Sequence, residues 1–597
     1  MSSSPNASQV GFVKTGLEGL DTILGGGIPS GSLIMLVGEP GTGKTTLLQQ
    51  LCFTWTGSPA TSTASNDYLT KAEEAEGQTL PSEASITPAA ADAVNIIPLP
   101  KATRTSTGRS KSSATTAAPT SSSATPPSPK AIYFSTLSEP HDKVIAHMKR
   151  FNFFDQDKLD SQVKFFSLTA LISREKEAPQ EIGTFIVNTA RKERASLVVI
   201  DGLGALLDGF TSLQDTRFFL NQLSSQLGTL GITAFLALEG AYVNNNASGV
   251  LTGADGIIGL YSHIQGAGEI HRVEVHKLRG MKRLEGRHTY KFNNNGLVFF
   301  PRLESQIDFE AAFTSELTAL IGDTVPVAKL GSRLGFGLPE LEKMLNGGII
   351  PNSSTFVAGS PGVGKTLLSL HYLIEGINIG EPALYVGFYE DLTSLVNKAA
   401  RFNLDLRTPL ISNLLVFVSI PSVELEPDLV AYRIKQVVEE YGIKRVVIDG
   451  VLELEIACRP DGRSRNYTTA LDRYFKSKGI TSLYTYTISK LIGTELDLSD
   501  TVFTVLAENL ILLRQLAYES RLFRVVSVLK MRDSIYDLSI REFTIENEVG
   551  IKVLQPFQSE TALLEELSYD LTESTQTPVQ RQNRDLLKKK SGKSKKK

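Results

Sequence analysis

Gly38-Glu39-Pro40-Gly41-Thr42-Gly43-Lys44-Thr45 fits G-x-x-x-x-G-K-[ST], the pattern of a phosphate-binding loop. Gly38, Gly41 and Gly43 let the backbone wrap a phosphate chain. The loop N–H groups, Thr42 among them, and the start of the helix at Thr46 then point their positive ends at it. Lys44 reaches the β- and γ-phosphates, and the Thr45 hydroxyl ligates Mg²⁺. The pattern occurs again at Gly359-Ser360-Pro361-Gly362-Val363-Gly364-Lys365-Thr366, followed by Leu367. Asp201 and Asp449 each end an apolar run, Leu197-Val198-Val199-Ile200 and Val446-Val447-Ile448. A carboxylate at that place after a phosphate loop holds Mg²⁺ opposite the Thr45 or Thr366 hydroxyl. The expected ligand of both sites is Mg-ATP.

Such residues need a strand before the loop and a helix after it. Ser32-Leu33-Ile34-Met35-Leu36-Val37 and Thr355-Phe356-Val357-Ala358 supply the strands, and Thr46–Leu51 and Leu367–Leu370 start the helices. Ahead of each loop stands a Gly-Leu turn, a short amphipathic helix and a Gly-Gly turn, from Thr15 to Pro29 and from Gly335 to Ile349. The repeat offset is about 320 residues, which means two tandem domains and not a solenoid. Further apolar strands are expected at Ala131–Thr136 and Ile232–Glu239, and again at Ala383–Phe388 and Ile480–Thr485. Continuous apolar strands alternating with helices predict an α/β fold, each domain a mostly parallel sheet with helices on both faces. Ligands bind at the carboxyl ends of such strands.

The chain of 597 residues is too long for one core. The expected layout is a disordered lead at 1–10 and a first ATPase domain at 11–303. Next come a linker at 304–328, a second domain at 329–558 and a polar, Lys-rich tail at 559–597. Residues 57–129 interrupt the first domain with Ser, Thr, Ala and Pro, a composition that cannot offset its ordering entropy and predicts a disordered insertion. Within it, Thr103–Lys111 is basic and hydroxyl-rich, a spacer or a phosphorylation or docking segment. A net charge of −3 gives no global argument for nucleic acid, and the lysines from Lys588 onward offer at most a weak polyanion contact. The two cysteines, Cys52 and Cys458, lack metal-ligand spacing. No signal peptide and no long apolar run is present, so a cytoplasmic protein with no membrane span is expected.

The chain resembles the KaiC family, tandem-domain members of the RecA/RadA superfamily, from residue 11 to about 556 apart from the insertion. The resemblance rests on the Gly-Leu-x-Gly-Leu-Asp opening, both phosphate loops, both strand-end aspartates and a late strand signature. That signature is Lys277-Leu278-Arg279-Gly280 in the first half and Lys530-Met531-Arg532-Asp533-Ser534 in the second. Lys277 and Arg279, like Lys530 and Arg532, alternate on one face of a strand. The resemblance implies two RecA-like domains and a homo-hexameric ring. It also implies that these cations reach a neighbour's γ-phosphate in the manner of an arginine finger.

The sequence departs from the family at the catalytic carboxylates. Where the family carries Glu-Glu, this chain has Ser138-Glu139 and Tyr389-Glu390, with Asp391 as a spare carboxylate. Glu139 and Glu390 are therefore the candidate bases. The family's phosphorylated Ser-Thr pair is matched by Thr504-Val505, so only Thr504 is an acceptor. The leading expectation is a slow ATPase acting as a nucleotide-driven regulatory switch. The alternatives are a DNA-dependent RadA-like recombination or repair ATPase, a non-hydrolysing scaffold held together by ATP, and a Ser/Thr autokinase. Single-stranded DNA stimulation would mark the first alternative, but the chain has no four-cysteine zinc motif.

Overall fold

The computed structural model describes residues 11–55, 95–96, 130–136, 141–169, 179–210, 212–240, 251, 253–265, 268–306, 332–422, 425–488, 506–518 and 521–556. The chain divides into two compact units, one of residues 1–88 and 105–306 and one of residues 89–104 and 307–597. Residues 304–306, expected in the linker, finish the first unit. Leu303–Ser305 forms a 3-10 turn, and Gln306 Nε2 donates to Pro301 O at 2.8 Å. The lead at 1–10, the linker from 307 to 328 and the tail from 557 onward lie outside the described residues.

In the first unit Leu33–Gly38 is the centre of a nine-stranded sheet. On one side it pairs in parallel with Thr233–Glu239, and Leu197–Asp201, Ala131–Ser135 and Val163–Ser167 follow, all parallel. On the other side it pairs in parallel with Gly256–Gln265. That strand opens an antiparallel run through Gly268–Leu278, Arg287–Asn293 and Gly296–Phe300. The period-two alternation of the central strand splits the core. Ile34 and Leu36 pack with Leu47, Leu48 and Leu51 of the helix Lys44–Thr54. Leu33, Met35 and Val37 pack on the opposite face with Phe219 and Leu223 of the helix Leu213–Thr229. Helices thus cover both faces, as in RecA-like P-loop domains.

The second unit repeats this order around Ser354–Gly359, which lies between Thr481–Thr487 and Asn509–Tyr518. Its sheet has ten strands, the tenth being Asn95–Ile96, which pairs antiparallel with Leu415–Ser419 and counts with this unit. Apart from Asn95–Ile96, the expected insertion at 57–129 lies outside the described residues. Thr103–Lys111 lies outside the described residues.

The edge strand Val163–Ser167 and the antiparallel strand Arg287–Asn293 carry no strong sequence signal of their own. Their partners decide them, because mixed polar and apolar residues serve well at a half-covered sheet margin.

Candidate functional site

Each phosphate loop joins the end of the central strand to the start of a helix. Gly43 precedes the helix Lys44–Thr54 and Gly364 precedes Lys365–Asn378. Neither helix has a side-chain cap, so the N-terminal N–H groups are available to an anion. Gly43 is at φ +86°, and a Cβ there would stand 2.3 Å from the Phe292 ring. Only glycine satisfies both conditions. Gly38, Gly41, Gly359 and Gly362 complete the two curves. The Thr42 hydroxyl donates to Glu39 O at 2.8 Å, and Tyr290 OH donates to Thr42 O at 2.8 Å, tying the loop to the antiparallel run. Val363 and Leu367 have buried side chains, so they can offer a ligand only their backbone groups. Thr46 stands in the first turn of its helix, where its N–H is likewise available.

The lysines fold back into their own loops. Lys44 Nζ donates to Gly38 O and Glu39 O at 2.8 and 2.9 Å, and Lys365 Nζ donates to Gly359 O and Ser360 O at 2.9 Å each. Burial lowers the pKa of both ammonium groups. Glu239, Asp201 and Glu39 oppose this at Lys44, and Asp449 does so at Lys365.

Asp201 and Asp449 end parallel strands beside the loops, as expected. In the second site Thr366 Oγ1 donates to Asp449 Oδ2 at 2.8 Å and Thr485 Oγ1 donates to Asp449 Oδ1 at 2.5 Å. In the first site the Thr45 side chain bonds Asp201 in the same way. Asp201 is almost wholly buried. Burial pushes its carboxyl above the usual range, against hydrogen bonds from Tyr133 and Thr45 and the nearby charge of Lys44. A hydroxyl and a carboxylate already in contact suit a hard cation that also takes phosphate oxygens. Among the described residues no group of three or more His, Cys, Asp or Glu side chains could hold a metal by itself. The donor set thus fits Mg²⁺ arriving with a nucleotide, with Thr45 and Asp201, or Thr366 and Asp449, to hold it.

Glu390 forms an ion pair with Lys398, while its Oε2 is buried without a partner. Asp391 is not a spare carboxylate. It caps the helix Leu392–Arg401, accepting from Ser394 N at 2.7 Å. Tyr389 leans on Gly450 beside Asp449, and its hydroxyl donates to Glu453. Ser138, Glu139 and Thr504 lie outside the described residues.

In the late signature Leu278 and Met531 are buried between the outward Lys277 and Arg279, and Lys530 and Arg532. A β-bulge falls between Val275 and Lys277, and its counterpart interrupts the register ahead of Lys530. The strands end at Leu278 and Met531, so Arg279 and Arg532 stand just beyond them. The extra residue of a bulge re-aims the side chains beyond it. Lys277 Nζ donates to Ala254 O at 2.6 Å, and Arg279 pairs with Asp255 at 3.2 Å. Asp255 itself accepts from Leu33 N at 3.0 Å, where the central strand begins. Likewise Arg532 N donates to Glu508 O, and Glu508 Oε2 accepts from Ser354 N, the start of the second central strand. Each cation pair therefore stands at the end of the sheet away from its own phosphate loop.

Sequence reasoning missed Tyr133, Tyr385, Thr485 and Glu453. The repeated Ala-x-Tyr of Ala131–Tyr133 and Ala383–Tyr385 is the one signal that would have found the tyrosines.

Two RecA-like units, each with an uncapped helix behind a lysine-bearing glycine loop and a strand-end aspartate, define a tandem P-loop ATPase. A family model described as "ATPase: KaiC" matches residues 13–62, 129–304 and 334–558, and the chain belongs to that family. The circadian clock protein KaiC3 of Synechocystis sp. is 27% identical over 405 residues, covering 67% of this chain and 74% of the relative. The circadian clock oscillator protein KaiC of Picosynechococcus sp. is 24% identical over 441 residues, covering 71% and 80%. KaiC of Synechococcus elongatus is 24% identical over 430 residues, covering 70% and 78%. Among the described residues no helix is long and apolar enough to cross a membrane.

Proposed function

We propose that the chain binds Mg-ATP in both units, assembles as a homo-hexameric ring with nucleotides at the subunit interfaces, and hydrolyses ATP slowly as a regulatory switch. The observation that carries this is the placement of Lys277 with Arg279, and of Lys530 with Arg532. The six-residue strand Leu33–Gly38 separates the first pair from its own loop, a length of roughly 16 Å at about 3.3 Å per residue. Cations there cannot serve their own site and suit a neighbour's, so a nucleotide between two copies links turnover to assembly.

Lys44 and Lys365 hold the phosphate chain, and the uncapped helix starts bind its oxygens. Mg²⁺ held by Thr45 and Asp201, or by Thr366 and Asp449, supplies neutralisation of phosphate charge. Glu139 and Glu390 are the carboxylates proposed to accept the proton of the attacking water. The pairing of Glu390 with Lys398 favours a second reading for that unit, in which ATP is bound as a structural link and is not turned over.

ATP turnover and size-exclusion chromatography with and without Mg-ATP test the proposal, with Glu139→Gln and Glu390→Gln beside wild type. Turnover lost in one variant assigns the base and the working unit. An ATP-dependent hexamer without turnover supports the structural reading. A monomer that neither binds nor cleaves ATP sinks both.

A further inference from the structure

The two metal carboxylates share a buried partner. Tyr133 OH donates to Asp201 Oδ2 at 2.5 Å, and Tyr385 OH donates to Asp449 Oδ2 at 2.6 Å. The strand register creates both contacts. Tyr133 stands opposite Val199, two residues before Asp201, and Tyr385 stands opposite Val447, two before Asp449. Each pair is thus a diagonal neighbour on one face of the sheet. On the other flank Phe165 stands opposite Tyr133 and Phe417 opposite Tyr385, with ring centroids 5.0 and 5.6 Å apart. The tyrosines are 2% and 1% exposed, so bulk water does not compete for the phenol.

The surroundings of this Phe–Tyr–Asp row differ between the halves. Gln49 hydrogen-bonds Tyr133, whereas Leu370 holds the matching place on the second helix. Thr485 bonds Asp449, whereas the register puts Ala237 in the matching place beside Asp201. A phenol needing only some buried acceptor has many carbonyls to choose from. In both halves it takes the carboxylate placed for the metal.

We propose that Tyr133 and Tyr385 are positioning residues for Mg²⁺ in the two nucleotide sites. Each phenol holds Oδ2 and fixes the plane of the carboxylate that, with the neighbouring Thr45 or Thr366, would hold the metal. This rests on reading Asp201 and Asp449 as metal carboxylates. Partners of this kind typically alter metal affinity by about 10–100-fold.

The test uses the full chain. Tyr385→Phe is made in a Lys44→Ala background and Tyr133→Phe in a Lys365→Ala background, so that one site is read at a time. Binding of a fluorescent ATP analogue is titrated with Mg²⁺ and compared with binding in EDTA. Tyr→Phe keeps the ring and its Phe neighbour. The expected result is a midpoint for Mg²⁺ raised at least about tenfold, with metal-free binding unchanged. A double variant with Asp449→Asn adds the sharper readout. If the tyrosine acts through the carboxylate, removing its hydroxyl shifts nothing further once Asp449 is gone. A midpoint within about twofold of the parent, where the parent does respond to Mg²⁺, overturns the tyrosine role alone. A wild-type chain whose nucleotide binding ignores Mg²⁺ overturns both the metal reading and this proposal. Should Tyr385→Phe unfold, Tyr133→Phe carries the same test in the other half.

Discussion

The first site buries its strand-end carboxylate, and the second leaves it half open among hydroxyls. Asp201 is 3% exposed, with Ala237 in the place where the second site puts Thr485. Asp449 is half-buried and accepts from Thr366, Tyr385 and Thr485. Lys44 has Glu239 and Glu39 nearby as well as Asp201, whereas Lys365 has Asp449 as its opposing charge. The second site also carries Tyr389 bonded to Glu453, where the matching residue of the first is Ala205. One backbone plan therefore supports two electrostatic settings. Fixed charge surrounds the first lysine, and neutral donors surround the second aspartate. Neutral hydroxyls hold an ionised carboxylate without adding a charge that competes with phosphate.

The largest contrast lies below the sites. Arg445 begins the strand that ends in Asp449, is 0% exposed, and pairs with Glu381 at 2.6 Å. The matching residue of the first unit is Leu197. Arg445→Ala leaves Glu381 and the Tyr372 and Gly335 carbonyls without their donor. The expected loss is about 3–5 kcal/mol, confined to the second unit. Differential scanning calorimetry that shows both units melting together at an unchanged temperature would break this part of the comparison.

Lys44→Ala and Lys365→Ala are each expected to weaken nucleotide binding at their own site by roughly 10- to 150-fold, from charged hydrogen bonds of roughly 1.5–3 kcal/mol. Nucleotide counting by equilibrium dialysis then gives the occupancy of the remaining site. Loss of both bound nucleotides from either single variant would mean that the units do not bind independently.

The opening motif separates the halves by pH. Thr15 N and Oγ1 both donate to Asp21 at 2.8 Å, yet burial pushes its carboxyl up to about 6 from 3.8. A carboxyl raised in the folded state contributes stability that is complete below 3.8 and lost as pH rises through 6. Against wild type, Asp21→Asn is expected to remove roughly 2 kcal/mol of pH dependence between those values. Denaturant melts of the first unit at pH 4 and pH 7 with parallel offsets would contradict this.

The smallest effect exchanges the surroundings of the two strand-end aspartates. Thr485→Ala gives Asp449 the neighbour that Asp201 has, at a cost of about 1 kcal/mol and a Mg²⁺ midpoint raised roughly fivefold. Ala237→Thr is the reciprocal change. Midpoints that do not move in either direction would show that the difference between Ala237 and Thr485 is immaterial to the metal.

The sequence by itself determined both phosphate loops, both aspartates, the central strands and the tandem repeat. Each of these is a run of consecutive residues whose types dictate its shape. Glycines at Gly41 and Gly43 declare a curve, and Leu197–Asp201 declares a buried strand with a charged end. Tertiary structure decided what the strands bring beside those residues. Tyr133 meets Asp201 across 68 positions of chain and Thr485 meets Asp449 across 36, contacts that depend on strand register. The bulge ahead of Lys277 and Lys530 likewise depends on pairing between strands. Only the fold shows that each pair of cations lies at the end of the sheet away from its own phosphate loop. Register is a property of two strands together, and neither strand's residues state it alone.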